Sequence, residues 1–369
     1  MKRQIIWFGL AALLLLTACN RQTAAEMISS GRRHVEASQC AGVDRYAQAI
    51  SDLQGALALE PDRLEAQYWL YQAYSEQGNA EGAARALTAL EEAVNAGRGG
   101  AEGHFWLLRL YHETENESAR DATLAALQAA VQAAPGNADG HYWLGRAYYE
   151  LERSDDAIQS FSNALTMNPS HAPAHFWLGQ LYAENGRLIE ARQQFDAVLA
   201  LENDNAAAYH NRGVVAYQIG DLEQAQDDFQ AAVENEAEDP SSHYQLGATL
   251  LARALPTQPG ALPDTALLEQ AQTEFQRALE LCPGMVEPLI GLGNLYLLQG
   301  NTSAALESIN QAIERSPDSP PAWFALAQTY MATGQTDEAC QAIRQFLALE
   351  PPAEWVAQAD QMSSQWGCP

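Results

Sequence analysis

Lysine is almost missing from this chain of 369 residues. Its sole lysine is Lys2, so every other formally basic residue is an arginine. Acidic residues number 47 against 20 basic ones, which gives a formal net charge of −27 at pH 7. A surface this acidic repels phosphates and therefore argues against nucleic acid as a partner. It favours solubility, or a basic protein partner that is steered by the opposite charge.

Side chains that favour β-sheets are also scarce. β-branched residues are sparse, whereas Ala, Leu, Gln and Glu dominate the composition. This mixture favours helix almost everywhere. The length would allow two or three ordinary globular domains, but the uniform composition indicates one repeated helical architecture instead.

The chain has no apolar run that spans a bilayer comfortably. Its N-terminal run, from Ile5 to Leu16, has about a dozen residues, whereas a spanning helix needs about 20. Because the run follows Lys2 and Arg3, it is typical of the apolar core of a secretory signal peptide. No second run of spanning length follows, so we expect the remaining chain to be soluble outside the cytoplasm.

The apolar run ends in Leu16-Thr17-Ala18-Cys19. An apolar residue, two small residues and a cysteine resemble the bacterial lipoprotein box. The resemblance implies that residues 1–18 are a signal peptide, that Cys19 is lipidated, and that residues 19–30 form a lipid-anchored tether. Acyl chains anchor a protein by burying methylenes, at roughly 0.8 kcal/mol each. The alternative is an ordinary signal peptide in which Cys19 is incidental.

Proline recurs at a regular interval. Pro135 and Pro169 are 34 residues apart, and Pro283, Pro317 and Pro351 follow one another at the same interval. A pattern of small and apolar residues recurs within each interval. One copy consists of Trp143-Leu144-Gly145, Tyr148, Ala157, Phe161, Ala164-Leu165 and Pro169.

The recurring pattern is typical of paired helices. Gly145 in the first helix and Ala157 in the second are small, so the two backbones can approach closely, and larger apolar residues at helical spacing fill the seam. Proline ends the second helix because it lacks an N–H group. One hairpin cannot bury its apolar face alone, so successive hairpins must stack. The turns within the pairs are expected at Gly186, Gly220, Gly300 and Gly334.

This pattern resembles the tetratricopeptide repeat over roughly residues 30 to 353. The resemblance implies an all-α, right-handed superhelical solenoid of about nine helix-turn-helix repeats over residues 31–353. A Pro-rich insertion at about 255–263 falls between paired helices, with Asp264 as the N-cap of the helix that follows. Residues 354–369 are predicted to form a capping helix and tail that cover the last apolar face.

Two cysteines are predicted to form a disulfide. Cys340 lies early in one predicted helix, and Cys368 lies just past the next. Antiparallel packing about a turn near Pro351-Pro352 would bring them together, and disulfides persist in exported proteins.

The sequence lacks a convincing catalytic motif. His112-Glu113 begins a metalloprotease-like run, but Asn116 stands where a second histidine is needed. Gly291-Leu292-Gly293 follows no predicted strand, which argues against a nucleotide-binding loop. We therefore predict a protein that is not an enzyme and uses no cofactor.

Histidine recurs four positions before the glycine of the first helix or its equivalent. Duplication of the repeat explains this recurrence without a metal. Equivalent residues on stacked helices lie about 10 Å apart, whereas zinc ligands converge within about 2.1 Å of one ion. We therefore predict no metal site. The recurring residues are His104, His141, His175 and His243.

Aromatic residues recur one position later, three residues before the glycine. In tetratricopeptide repeat proteins the first helix of each pair lines a concave groove, so the resemblance implies an aromatic-lined groove that binds a protein or peptide. Large aromatic side chains dominate many binding hot spots. The predicted groove residues are Tyr68, Phe105, Arg109, Tyr142, Arg146, Tyr149, Phe176, Gln180, His210, Tyr217, Tyr244 and Phe324. For the neighbouring tryptophans, Trp69, Trp106, Trp143 and Trp177, packing between repeats is the alternative.

The predicted function is that of a non-enzymatic interaction scaffold. It would be anchored in a bacterial cell envelope, in the outer membrane or on the outer face of the cytoplasmic membrane, and would hold a partner segment in its groove. One alternative is an envelope, pilus or secretion assembly factor that uses its convex face or loop 255–263. The other is cell-wall glycan binding by stacking on Trp106 and Trp143.

Overall fold

A computed structural model describes residues 23–41, 45–256 and 262–368. Within these ranges the structure has nineteen α-helices and no strand. The helices are α1 (Ala24–Ala41), α2 (Tyr46–Leu59), α3 (Leu64–Glu76), α4 (Ala80–Asn95), α5 (Gly100–Glu113), α6 (Glu117–Ala133), α7 (Ala138–Glu150), α8 (Ser154–Met167), α9 (Ala172–Glu184), α10 (Leu188–Leu201), α11 (Ala206–Ile219), α12 (Leu222–Asn235), α13 (Pro240–Ala254), α14 (Thr265–Leu281), α15 (Glu287–Leu298), α16 (Thr302–Arg315), α17 (Pro320–Ala332), α18 (Thr336–Ala348) and α19 (Ala353–Trp366).

Consecutive helices form nine pairs, here called repeats 1 to 9, from α1 with α2 to α17 with α18. The prediction of an all-helical stack of helix-turn-helix repeats is confirmed. The first pair begins at Ala24, within the segment predicted as a tether. The predicted signal peptide and Cys19 lie outside the described residues. No helix in the described ranges has both the length and the apolar character needed to cross a bilayer.

The chain forms two compact units, Met1–Ala174 and His175–Pro369. Within the first unit, α3, α5 and α7 pack against one another in order, and within the second unit α11, α13, α15 and α17 do the same. Within each unit the second helices pack against the first helix of the next repeat, and among the described residues no two second helices show a comparable contact. The first helices therefore line one face of each unit, here called the first-helix face.

A phenylalanine of the second helix fills the seam of several pairs. A Cβ atom added at Gly145 would lie 2.7 Å from the ring of Phe161, and one at Gly213 would lie 2.9 Å from the ring of Phe229. Both rings are fully buried. The glycine therefore makes room for an aromatic ring, in addition to the close helix approach that the sequence predicts.

The turns within the pairs use left-handed backbone, as predicted. The φ angles of Gly186, Gly220, Gly300 and Gly334 are 71°, 89°, 73° and 77°. In repeats 3 and 4 the turn positions are taken by Glu115 and Glu152, with φ angles of 55° and 57°. These two residues adopt a conformation that costs an L-residue roughly 1–2 kcal/mol.

The segment between the two helices of repeat 7 contains the predicted Pro-rich insertion, of which residues 257–261 lie outside the described residues. Helix α13 ends at Ala254, before the insertion, and α14 begins at Thr265, after it. Asp264 is the N-cap of α14, because its carboxylate accepts hydrogen bonds from the backbone N–H groups of Ala266 (2.9 Å) and Leu267 (3.2 Å). Leu262 is 88% exposed, so the insertion presents an apolar side chain to solvent.

The last helix, α19, covers the apolar end of repeat 9. Trp355 packs against Phe324 and Phe346, with ring centroids 5.6 Å and 6.2 Å apart. A disulfide joins Cys340 of α18 to Cys368, just after α19, with 28 residues of sequence separation. Closing a loop of this length stabilises a fold by about 3–4 kcal/mol in the chain-entropy account. The bond therefore holds the end of α19 near the start of α18.

A buried ion pair replaces apolar packing in repeat 6. Arg212 occupies the position that Leu144 has in repeat 4, and it donates two hydrogen bonds to Asp228, of 3.0 Å and 2.6 Å. The Asp228 side chain is 2% exposed. Hydrogen bonding to Asp228 raises the pKa of the Arg212 guanidinium despite its burial. Arg212 also bonds the exposed Asp196 at 2.7 Å.

We predict that Asp228→Asn lowers the free energy of unfolding by about 3–5 kcal/mol, because it leaves a partly buried arginine without its main counter-charge. The double variant Arg212→Leu/Asp228→Ser restores the residues that repeat 4 uses, Leu144 and Ser160, and should be as stable as the wild type or more so. Urea unfolding measures both. A double variant less stable than Asp228→Asn would contradict this account.

Candidate functional site

A ladder of stacked rings runs along the first helices of the first unit. Tyr68 of α3 packs against Trp106 of α5, with ring centroids 5.0 Å apart. Phe105 of α5 packs in the same way against Trp143 of α7, at 5.1 Å. Each of these predicted groove aromatics thus contacts the tryptophan of the following repeat.

The ladder lies beneath the surface. Tyr68 is 2% exposed and Phe105 is 0% exposed, and Tyr142 and Trp106 are also buried. Trp69 and Trp143 are half-buried. The tryptophans therefore pack between repeats, and the predicted aromatic side chains of this unit contribute little surface of their own.

Arginine side chains cover the rings. The guanidinium carbon of Arg109 lies 5.0 Å from the ring centroid of Tyr68, and that of Arg146 lies 4.7 Å from the ring centroid of Phe105. Such cation–π contacts contribute about 0.5–2 kcal/mol, depending on how fully they are desolvated. Each ring is thus held by a tryptophan and an arginine of the next repeat.

The surface above the ladder is a chain of polar contacts. The carboxylate of Glu113 accepts hydrogen bonds from the Tyr68 hydroxyl (2.6 Å), from Nε of Arg109 (3.2 Å) and from the Gln72 amide. Glu150 forms ion pairs with Arg109 at 3.7 Å and with Arg146 at 3.6 Å. We call this set the Arg/Glu network: Gln72, Arg109, Glu113, Arg146 and Glu150.

Burial and the neighbouring charges keep the Tyr68 phenol neutral and the Arg109 guanidinium charged. Burial, together with the nearby Glu113, raises the pKa of Tyr68, so the phenol stays neutral and donates to the carboxylate. Burial opposes the charge of Arg109, but the carboxylates of Glu150 and Glu113 outweigh it and raise the pKa of the guanidinium. The side chains of Arg109 and Glu113 are 25% and 33% exposed, so a ligand can reach both charges.

The two carboxylates were absent from the predicted groove residues. Glu113 follows Arg109 by four residues, and Glu150 follows Arg146 by the same interval. This spacing places each pair on one helix face, so it was a signal visible in the sequence. Tyr149 lies beside Glu150 and is half-buried.

The predicted groove residues of the second unit lie in a different setting. Phe176, Tyr244 and Phe324 pack against the second-helix phenylalanines of their own repeats, with ring centroids 5.3–6.1 Å apart. Gln180 donates to Glu184 at 3.2 Å. Tyr217 is exposed.

His210 has a structural environment. Its Nδ1 lies 2.8 Å from the Ser242 hydroxyl, and its ring packs against Phe229. Burial lowers its pKa, while Asp239 opposes that shift.

The recurring histidine position has a structural role in two repeats. Nε2 of His141 lies 3.0 Å from the carbonyl of Pro135, and Nε2 of His243 lies 3.2 Å from the carbonyl of Ala237. Each contact ties a first helix to the backbone six residues earlier. Within the described ranges, no three His, Cys, Asp or Glu side chains converge in a way that could hold a metal.

The contact of His243 with Glu274 should make the stability of the fold depend on pH. Its hydrogen bond with Glu274, at 2.6 Å, raises its pKa, although burial opposes the shift. A raised folded-state pKa stabilises the fold fully below the unfolded value of about 6.5, and this contribution is lost as pH rises through the folded value. The difference in Tm between wild type and His243→Gln should therefore be larger at about pH 5.5 than at about pH 8.5.

Glu274→Gln is the matched control for this prediction, because it removes the carboxylate that raises the histidine pKa. In that background the effect of His243→Gln should depend much less on pH. A Tm difference that stays constant between the two pH values in the wild-type background would contradict the assignment.

Three family models described as tetratricopeptide repeat match the sequence. One matches residues 118–162, 142–208 and 264–320, a second matches 42–98 and 297–358, and a third matches 206–239. Together the matched residues make up more than half of the chain. A comparison with curated proteins found no match.

Several solved structures have a similar fold. Human IFIT1, solved as a dimer with PPP-AAAA, has a TM-score of 0.58 and 14% identity, over 92% of this chain and 85% of that chain. A tetratricopeptide repeat protein from Parabacteroides merdae ATCC 43184 has a TM-score of 0.55 and 14% identity, over 72% and 99%. PilW, a widely conserved type IV pilus biogenesis factor, has a TM-score of 0.50 and 19% identity, over 61% and 97%. At these identities the likeness is one of fold.

Proposed function

Since the chain belongs to the tetratricopeptide repeat family, we propose that it is a non-enzymatic scaffold that binds a segment of a partner protein on its first-helix face. The fold alone does not define the partner, which is selected by the side chains at the surface. In the first unit this surface is the Arg/Glu network.

The observation that carries the proposal is that polar groups are held in place above a rigid ladder. Arg109 is positioned by the Tyr68 ring beneath it and by Glu113 beside it. Groups that are already ordered lose less entropy when a ligand binds, and a site supported by packed side chains keeps its geometry. The network presents donors and acceptors together, so it suits the mixed polar groups of a peptide segment.

A protein partner fits the charge balance better than a nucleic acid. The name of the human neighbour includes a PPP-AAAA ligand, but the likeness to it is one of fold at 14% identity. This chain has a formal net charge of −27, which opposes the approach of phosphates. We therefore propose a protein or peptide partner.

Arg109→Gln should weaken partner capture about 5- to 10-fold, which corresponds to roughly 1–1.4 kcal/mol. The change removes an accessible charge of the network while leaving the buried rings in place. Arg85→Gln is the matched control, because Arg85 forms a similar i,i+4 pair with Glu81 on the second helix α4. Capture is measured by quantitative affinity purification from solubilised membranes, with thermal melting as the check on folding.

Site-specific photo-crosslinking tests the same surface independently. A photoreactive side chain at Tyr149, on α7, should yield partner adducts, whereas the same side chain at Gln159, on the second helix α8, should not. Equal losses from Arg109→Gln and Arg85→Gln, or adducts from Gln159 alone, would place the binding surface elsewhere.

We also propose a lipid-anchored tether on the N-terminal side of the repeats. The Leu16-Thr17-Ala18-Cys19 segment supports a lipidated cysteine and an extracytoplasmic location in a bacterial envelope. Cys19→Ser should abolish labelling by a palmitate analogue and move the protein from the membrane to the soluble fraction, whereas Thr17→Ser should change neither. A Cys19→Ser protein that is still labelled would refute lipidation at this residue.

A role in pilus or envelope assembly is the second candidate. The exposed Leu262 of the insertion at 255–263 offers an apolar contact for an assembly partner. PilW is named as a pilus biogenesis factor, and its likeness to this chain is one of fold. Glycan stacking has less support, because Trp106 is buried against Tyr68 and Trp143.

A further inference from the structure

The first helices of repeats 6 to 9 carry almost no charge. α11, α13, α15 and α17 contain three charged residues between them: Arg212, Arg253 and Glu287. Arg212 is bound to Asp228 of a second helix, and Arg253 contacts Gln226 of another. The same face of the first unit holds the Arg/Glu network, so the two units present different chemistry on their first-helix faces.

In the second unit uncharged residues occupy the places of the network, among them the polar Gln218, Asn294 and Gln328, and apolar side chains stand beside them. The place of Tyr149, four residues after the glycine, is taken by Tyr217, Leu251, Leu297 and Met331, and Leu298 stands where Glu150 stands in repeat 4. Tyr217 and Leu298 are each 39% exposed, and the other three are half-buried. We call these five residues the apolar row.

The apolar row lies at the C-terminal ends of four first helices of the second unit. The helices α11, α13, α15 and α17 pack against one another in order, so their C-terminal ends lie side by side. Leu251 and its neighbours Tyr244 and Ala248 pack onto one hydrophobic cluster that includes Leu292 and Leu295 of the next repeat. Leu251 of the row therefore rests on a packed base, as the Arg/Glu network does in the first unit.

Acidic residues border the apolar row. In repeats 6, 8 and 9 a short turn joins the first helix to the second, so the second helix begins close to the row. In repeat 7 the insertion intervenes, but the backbone N–H of Asp264 donates to the carbonyl of Ala254 at 2.9 Å, which brings the start of α14 to the end of α13. Exposed carboxylates occupy the start of three of these second helices: Asp221 and Glu223 at α12, Asp264 at α14, and Asp337 and Glu338 at α18. A partner that covers the row would thus meet apolar side chains at its centre and negative charge at one edge.

The spacing of the row fits an α-helix. Packed helices lie 8–10 Å apart, so successive members of the row should recur at about that distance. An α-helix advances about 10.5 Å in seven residues and returns to the same face. A strand advances about 10 Å in three residues but points the third side chain to the opposite side.

We propose that the apolar row is a docking surface for an amphipathic α-helix of a partner, with an apolar stripe recurring about every seven residues and Lys or Arg along its flank. Four repeats cover roughly 30 Å, which is the length of a helix of about 20 residues. The basic flank lies against the acidic border. This surface goes beyond the proposed function of the first unit, because none of its residues belongs to the Arg/Glu network.

The test uses the full chain and a designed probe. The probe is a fluorescent 21-residue Leu/Lys peptide with leucine at the first and fourth positions of each heptad, and its binding is followed by anisotropy. The double variant Tyr217→Ser/Leu298→Ser should weaken binding at least tenfold. The matched control Ile189→Ser/Leu201→Ser changes two exposed apolar residues of the second helix α10 and should leave the affinity unchanged.

Two further peptides test the chemistry of the occupant. A Leu/Glu peptide of the same pattern should bind at least tenfold more weakly, because the acidic border repels it. A Leu/Lys peptide of the same composition with alternating leucine should also bind more weakly, because it favours a strand. Equal binding of either peptide would overturn the proposed occupant.

The remaining outcomes separate this inference from the proposed function. Arg109→Gln should leave probe binding unchanged even where it weakens partner capture; loss of probe binding in that variant would place the site in the first unit and overturn the inference. Equal losses from the two double variants would overturn it as well. So would self-association in sedimentation that disappears in Tyr217→Ser/Leu298→Ser, since a second copy would then cover the row. Thermal melting of each single variant, Tyr217→Ser and Leu298→Ser, shows whether folding is kept.

Discussion

Each helical hairpin of this chain buries one part of its apolar surface within itself and leaves another part for the hairpin that follows. Inside repeat 4, the Phe161 ring fills the space that Gly145 leaves open. Between repeats 2 and 3, Tyr68 is covered by Trp106 and Arg109 of the next hairpin. A hairpin is thus complete only when its successor is folded against it, which explains why the chain is built as a stack and why its end needs α19.

This dependence also decides which side chains are exposed on the first-helix face of each unit. In the first unit the large aromatic side chains are used for stacking, and the arginines that cover them bring their own carboxylate partners, Glu113 and Glu150. The exposed surface is consequently polar, although the residues beneath it are aromatic. In the second unit the corresponding helices lack this pairing of tryptophan and arginine, and apolar side chains such as Leu298 stay at the surface.

The Arg212–Asp228 pair shows that the two helices of repeat 6 can be joined by a buried ion pair instead of apolar packing. Repeats 2 to 5 and 7 to 9 place a leucine where Arg212 stands, and that residue needs no polar partner. Repeat 1 places Ser30 there, which donates a hydrogen bond to Asp52 at 2.7 Å. A buried ion pair is costly to desolvate, so it adds little to the free energy of unfolding. Removal of one partner leaves a buried charge unpaired and is strongly destabilising, so the pair constrains substitution at either position. The carboxylate of Asp228 accepts three hydrogen bonds, two from Arg212 and one from Gln224, which satisfies the buried charge.

The sequence by itself determined the helices, their pairing, the turns and the insertion, because these depend on residues close together in the chain. A glycine such as Gly220 permits left-handed backbone wherever it stands, and Asp264 caps the helix that begins beside it. Only the tertiary structure decided which aromatic side chains are buried and where the charges meet. Tyr68 bonds Glu113 across 45 positions of sequence, and that contact depends on the rotation and packing of successive first helices. Local spacing places both residues on a helix face but leaves open which neighbour covers each one. In the first unit the predicted aromatic side chains are therefore buried as a ladder beneath a polar surface.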